Sequence, residues 1–252
     1  HPPVYDATMY AKKPDLSVFG VRKLNLVYAH KFWADMHDKG AIENLPSERK
    51  VRGVARSMPR TREPVCIDVE HWPLTGNQAL VDQSVIKYSK LVDWFKSERP
   101  DLSVGLFGMM PIADYHRSRR GRSSSAYAEW QAENDRLRPL VGHVDVIFPY
   151  LYTYYPDKDA WVQFAIENLR EARRYGKPVY VFLWPQYSEK NTSIGYQYIP
   201  AEYWKLQLET VSPYVDGIVI WGGWDREKKR PANWDSSAEW WRVTKEFINT
   251  GR

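Results

Sequence analysis

Short apolar runs alternate along the chain with longer segments in which apolar residues recur at helical spacing. The runs are VYDATM at 4–9, LNLVYA at 24–29, VCIDV at 65–69, SVGLFG at 103–108, VDVIFP at 144–149, VYVFLW at 179–184 and DGIVIW at 216–221. Several are near-continuous in Val, Ile, Leu and Phe, the pattern of a parallel strand buried on both faces. Between them, 77–98 carries Leu80, Val81, Ile86, Tyr88, Leu91, Val92 and Phe95 and predicts a helix, as do 127–138, 159–175, 201–211 and 236–248. Gly176-Lys177-Pro178 stops one helix and launches the next strand, and Ser212-Pro213 ends another. Strands alternating with helices predict right-handed βαβ units and a parallel sheet. About seven or eight such units close a barrel, and fewer leave an open, doubly wound sheet. No GxGxxG follows any strand, so a dinucleotide fold loses its main support. The expected fold class is therefore α/β, a TIM-like (β/α) barrel, irregular, with about seven parallel strands.

The chain has 252 residues, the usual length of one such barrel, and 43% of them are hydrophobic. With no low-complexity tract, repeat or linker, a single domain over 1–252 is expected. Twelve Trp and 17 Tyr are present, many beside turn residues. Aromatics fill cores, but Trp and Tyr at loop ends also stack on sugar rings while their polar tips bind hydroxyls. The formal net charge of +5 suits an anionic partner or none in particular. No aromatic RNP box, zinc spacing or basic heptad helix accompanies it, so no nucleic acid is expected as partner. Cys66 is the sole cysteine, which excludes a disulfide within the chain, and it reads as a small buried hydrophobe. No stretch of about 18 apolar residues exists to span a membrane. The chain begins at His1 rather than Met, which fits a processed protein, secreted or periplasmic.

A barrel places its chemistry at the C-terminal ends of its strands. The third run ends in Cys66-Ile67-Asp68-Val69-Glu70-His71-Trp72-Pro73. Asp68 and Glu70, two apart on a strand, point to the same side. Two acids held together cannot both ionise freely, so one is expected to keep its proton, with Glu70 raised by Asp68 beside it. One protonated and one ionised acid can protonate a glycosidic oxygen while stabilising positive charge nearby. Tyr150 and Tyr152 end the fifth run; Trp184, Gln186 and Tyr187 end the sixth; Trp221, Trp224 and Asp225 end the seventh. With Trp72, and Tyr115 after the fourth run, they are candidates for sugar binding. Gly222 and Gly223 would let a ligand approach the backbone and turn Trp221 to the pocket, unless they serve only the turn. Four arginines fall between 117 and 122; a solvated loop is the bland reading, and carboxylate or sulfate binding by Arg119 and Arg120 the functional one. The histidines lack metal-ligand spacing, so no metal or cofactor is expected.

These strand ends together resemble the hyaluronidase family, glycoside hydrolase family 56. Ile67-Asp68-Val69-Glu70-His71-Trp72-Pro73-Leu74 is similar to that family's Asp-Trp-Glu-x-Trp-Arg-Pro-Leu stretch. Ile147-Phe148-Pro149-Tyr150-Leu151-Tyr152 looks like its Phe-Pro-Ser-Ile-Tyr segment, and Gly217-Ile218-Val219-Ile220-Trp221-Gly222 like its Gly-Val-x-x-Trp-Gly-Ser strand. The resemblance implies that Glu70 is the general acid, and that the substrate's own N-acetyl carbonyl is the nucleophile. It implies that Asp68 orients the acetamido nitrogen, that Tyr152 hydrogen-bonds the acetamido group and that Trp221 walls it. Departures from the pattern are Val69 in place of an aromatic, no Arg between Trp72 and Pro73, and Gly108-Met109-Met110-Pro111 where the family carries Tyr. They point to a distant relative acting on a different amino-sugar polymer.

The expected activity is retaining, endo-acting hydrolysis of an N-acetylhexosamine polysaccharide; an anionic, hyaluronan- or chondroitin-like glycosaminoglycan is one candidate. A glycosidase pairing Glu70 with Asp145 or Asp225 is the first alternative. A non-catalytic glycan-binding barrel is the second, and a nucleic-acid binder, motivated by charge alone, the third.

Overall fold

The computed structural model describes residues 1–251. In chain order the strands are β1 (Val4–Thr8), β2 (Arg22–Lys23), β3 (Asn25–Tyr28), β4 (Val65–Asp68), β5 (Val104–Leu106), β6 (Tyr180–Leu183), β7 (Gly217–Gly222), β8 (Trp224–Asp225) and β9 (Arg230–Pro231). The helices are α1 (Lys39–Glu43), α2 (Glu48–Ser57), α3 (Gln78–Glu98), α4 (Ser125–Asp135), α5 (Arg138–Val141), α6 (Lys158–Arg173), α7 (Ala201–Val211) and α8 (Glu239–Thr250). Side-chain caps fix several helix starts. Asn77 accepts from the amides of Ala79 and Leu80 ahead of α3, and Asp157 accepts from Ala160 ahead of α6.

Regular pairing makes a four-stranded parallel sheet in the order β2-β1-β7-β6 and a three-stranded one in the order β3-β4-β5. Only Leu24, whose amide donates to the Asp6 carbonyl, separates β2 from β3. The run predicted as a strand at 144–149 is not a regular strand. It survives as parallel bridges, Phe107 with Phe148, Ile147 with Val179 and Tyr150 with Phe182, that link β5 to β6. Pro149 interrupts it because it has no N–H to give to the ladder. β8 and β9 form an antiparallel hairpin just past β7 that the hydrophobic pattern did not announce.

The period of two along each strand separates two packing layers. Val65 and Ile67 of β4, Val104 and Leu106 of β5, and Ile218 and Ile220 of β7 pack in the layer that includes the buried faces of the helices. The alternate residues meet one another in a smaller cluster: Tyr5, Leu24, Cys66, Phe107, Val146, Phe148, Phe182 and Val219. Gly105 belongs to the same inward set; a Cβ there would lie 2.4 Å from the Val146 carbonyl oxygen, so only glycine permits this approach. Among the described residues no helix is long and apolar enough to cross a membrane.

Candidate active site

Following β4 upward along its inward face leads from Cys66, wholly buried, to Asp68, partly buried, and then to Glu70 at the solvent edge. The same alternation carries Phe107, Tyr150 and Tyr152, Phe182 and Trp221 to the same end of their strands. Together they line a cavity of about 290 Å³ that contains both acids. Its remaining walls are Leu26, Tyr154 and the segment Ser188, Glu189 and Lys190. Gly108, at φ +67°, leaves room beside the acids: a Cβ there would lie 3.1 Å from the Tyr150 ring and 3.8 Å from Glu70 Oε1.

The electrostatics differ from the sequence expectation in one respect. Burial, and next the charge of Glu70, raise the Asp68 carboxyl from 3.8 to about 7. Glu70 is also raised, by the protein wall around it; Lys190 pulls it back down and Glu189 pushes it up. Asp68 is therefore the stronger proton holder, and burial rather than Asp68 is what lifts Glu70. The difference arises because Asp68 sits deeper and faces no cation, whereas Glu70 shares the mouth with Lys190. Burial, then Asp68 and Glu70, hold the Tyr152 phenol protonated well above its ordinary range, so it is a hydrogen-bond donor at any working pH. Cys66, buried beneath the acids, is likewise held as a thiol.

Aromatic packing orients the cavity wall. Trp221 stacks on Tyr152 at 5.8 Å between centroids, and its Nε1 donates to the Tyr28 hydroxyl at 3.3 Å. Trp184 is buried behind both, edge-on to Tyr152 at 5.5 Å and to Trp221 at 4.9 Å. Its Nε1 donates to Gln186 Oε1 at 2.9 Å. Gly222 and Gly223 do not open the backbone to a ligand: a Cβ at Gly222 would meet the Trp184 indole at 2.9 Å, and one at Gly223 the Tyr10 amide nitrogen at 2.7 Å. The glycines admit the protein's own aromatic rings.

Of the residues singled out in the sequence, Asp68, Glu70, Tyr150, Tyr152 and Trp221 line this cavity. Gln186, Trp224 and Asp225 line a neighbouring one. Trp72 does not reach either; it is 4% exposed, donates to the Ile42 and Glu43 carbonyls and packs on Trp33 and Tyr88. Tyr115 is buried among Tyr154, Tyr155 and Phe164, and Tyr187 is buried beside its bridge partner Thr153. Asp145, at the start of the 144–149 run, lies beside the first residue of β5, bonded to Lys96 at 2.7 Å and to the Val104 amide at 2.9 Å, at the opposite end of the strands from Asp68.

The arginine loop is largely spent on the protein's own groups. Arg117 binds Asp114 and Glu133, Arg122 binds Glu167, and the Arg119 guanidinium lies 4.6 Å from the centre of the Tyr115 ring. Arg120 is exposed, and neither it nor Arg119 lines the acid-bearing cavity. The sequence reading missed Tyr28, Glu189 and Lys190, and left Tyr154, one of four tyrosines after the fifth run, out of the site. Tyr28 had one available signal, its place at the end of an apolar run, whereas 188–190 belongs to a loop whose fold-back carries no local pattern. No cluster of His, Cys, Asp or Glu able to hold a metal ion occurs among the described residues.

No protein-family model matches the chain, and no curated protein matches it by sequence. Its fold does match solved structures. Bee venom hyaluronidase aligns with a TM-score of 0.67 over 99% of this chain and 98% of that one, at 15% identity. The same enzyme in complex with a hyaluronic acid tetramer gives 0.67 over 99% and 96%, at 14% identity. A double mutant of an endo-β-1,4-mannanase from Cellulomonas fimi gives 0.58 over 92% of this chain and 55% of that chain, at 12% identity. The chain thus shares, over nearly its whole length, the α/β fold of a hyaluronidase.

Proposed function

We propose that this chain is a retaining, endo-acting glycoside hydrolase of N-acetylhexosamine-containing polysaccharides, a single irregular (β/α) barrel over 1–252 with seven parallel strand positions. The observation that carries the reading is the convergence of Asp68 and Glu70, both with raised pKa, on one aromatic-walled cavity. The hyaluronidase-like fold adds support, because the family resemblance falls on those same positions.

In this reading Glu70, at the solvent edge, protonates the departing glycosidic oxygen. The substrate's acetamido carbonyl oxygen attacks the anomeric carbon as that bond breaks. In the acting form Asp68 is ionised although it is the tighter proton holder of the pair in the free chain, a state favoured by the positive charge that develops on the acetamido group; it accepts from the acetamido N–H and offsets that charge. Tyr152 donates its phenol hydrogen to the acetamido group, and Trp221 walls the methyl side. Water then opens the cyclic intermediate while Glu70 takes back a proton, and configuration is retained. No second enzyme carboxylate is needed.

The test is product release from hyaluronan, chondroitin, heparosan and chitin oligosaccharides at pH 5, wild type beside Glu70→Gln. Cleavage of at least one polymer is expected, reduced about 10²–10⁴-fold in the variant. Absence of cleavage across the panel, or an unimpaired variant, would refute the reading. One observation favours a second reading: Glu189 shares the cavity with Glu70. If Glu189 activates water directly, the product is inverted and substrates without an acetamido group are cut. The anomeric form of the fresh product, read by NMR, separates the two.

A further inference from the structure

Beside the acid-bearing cavity lies a second one of about 540 Å³, and Glu189 lines both. Its walls include Gln186, Thr192, Tyr196, Trp224 and Arg226. Trp224 is 40% exposed and presents its indole on the wall of this cavity. A chain of ring contacts joins the two cavities: Tyr152 to Trp221, Trp221 to Trp184, and Trp184 to Tyr196 at 5.6 Å. Gln186 locks this floor by accepting from Trp184 Nε1 and donating to the Tyr196 carbonyl.

Trp224 does not ride on a free loop. It opens the β8–β9 hairpin, paired with Pro231, and the flanking Ala232 amide donates to the Gly223 carbonyl at 2.8 Å. Ala11 ties the far side of the hairpin through the Ala232 carbonyl and the Trp234 amide. The backbone under the indole is therefore held in place before any ligand arrives, which lowers the entropy lost on binding. A flat, polar-edged aromatic on a fixed backbone, next to amide and hydroxyl groups, suits one ligand class, a pyranose ring with its C–H face on the indole and its hydroxyls toward the polar wall.

Resting on the hydrolase reading above, we propose that the second cavity binds a further sugar unit of the same polysaccharide, with Trp224 as its stacking platform. The site is then a two-cavity groove that rewards a chain long enough to reach from the acids to the hairpin. Arg226, held over the Tyr196 ring at 5.7 Å, adds a cation to the wall of the second cavity.

The test uses the full-length chain carrying Glu70→Gln, so that bound sugars stay intact, and titration calorimetry with N-acetylglucosamine and hyaluronan oligosaccharides of increasing length. In at least one series affinity should step up once the chain spans both cavities, and adding Trp224→Ala should remove the step, about tenfold in Kd. Trp224→Tyr, which keeps a ring, should restore part of it. A step that survives Trp224→Ala, or affinity flat with length while the wild type still cleaves the polymer, overturns this proposal alone. No binding by either series, with no cleavage by wild type, overturns it together with the hydrolase reading.

Discussion

Replacing Asp68 by Asn should make the protein more stable at alkaline pH while removing its activity. The carboxyl's only perturbations are burial and the charge of Glu70, and no hydrogen bond from the protein offsets them. Its folded pKa of about 7 stands above the ordinary 3.8, so the folded chain binds this proton more tightly than the unfolded chain. Stability is therefore unaffected below pH about 4, where both states are protonated. It falls as pH rises toward 7, and the full cost remains above that. Across that interval the cost approaches about 4 kcal/mol. Asn has nearly the same shape and no charge to desolvate, so it escapes this cost. For a chain of this size each kcal/mol moves Tm by roughly 2–4 °C, so the variant should melt about 8 °C or more above wild type at pH 8. At pH 4 the two curves should nearly coincide. Thermal melts followed by circular dichroism across pH 4–8 provide the assay, with Glu70→Gln as a partner. Removing the Glu70 charge should lower the Asp68 pKa and shrink the wild-type loss of stability with pH. A variant no more stable than wild type at pH 8, or one whose advantage does not depend on pH, would refute the reasoning.

Three further outcomes are expected. Trp72→Ala should cost about 3–5 kcal/mol in a denaturant melt, because it empties a packed site against Trp33 and Tyr88; at a temperature where it stays folded, kcat/KM should stay near wild type, and a selective loss of activity would return Trp72 to the site. Lys190→Ala should extend activity to higher pH, since Lys190 is the group that lowers the Glu70 pKa; a pH–rate profile whose alkaline limb stays put or moves down contradicts that coupling. Tyr152→Phe should lower kcat on an N-acetylated substrate roughly hundredfold with little change in Tm, and equal kcat values would remove the phenol from the mechanism.

The alternation of side chains along a strand is a local property, and it was enough to find the two acids. Asp68 and Glu70 are two residues apart after an apolar run, so they had to share a face, and the strand-end rule put that face at the chemical end. Tyr152 and Trp221 were legible on the same ground. Helices α3, α4, α6, α7 and α8 were legible from their apolar periodicity, whereas α1, α2 and α5 were not anticipated.

What lay beyond the sequence was every property set by residues far apart in the chain. Trp72 sits next to the acids in sequence, yet the carbonyls of α1 and the rings of Trp33 and Tyr88 draw it into the core. The arginines of 117–122 look available until Glu133 on α4 and Glu167 on α6 arrive to neutralise two of them. Gly222 and Gly223 carry no mark that Trp184 and Tyr10 will fill the space of their missing side chains. Which of the paired acids holds its proton was decided in the same way, because the pKa depends on depth and on Lys190, 120 positions from Glu70 in the sequence. Side-chain direction follows from backbone geometry over two residues, whereas desolvation, charge pairing and cavity shape exist only once distant segments have packed.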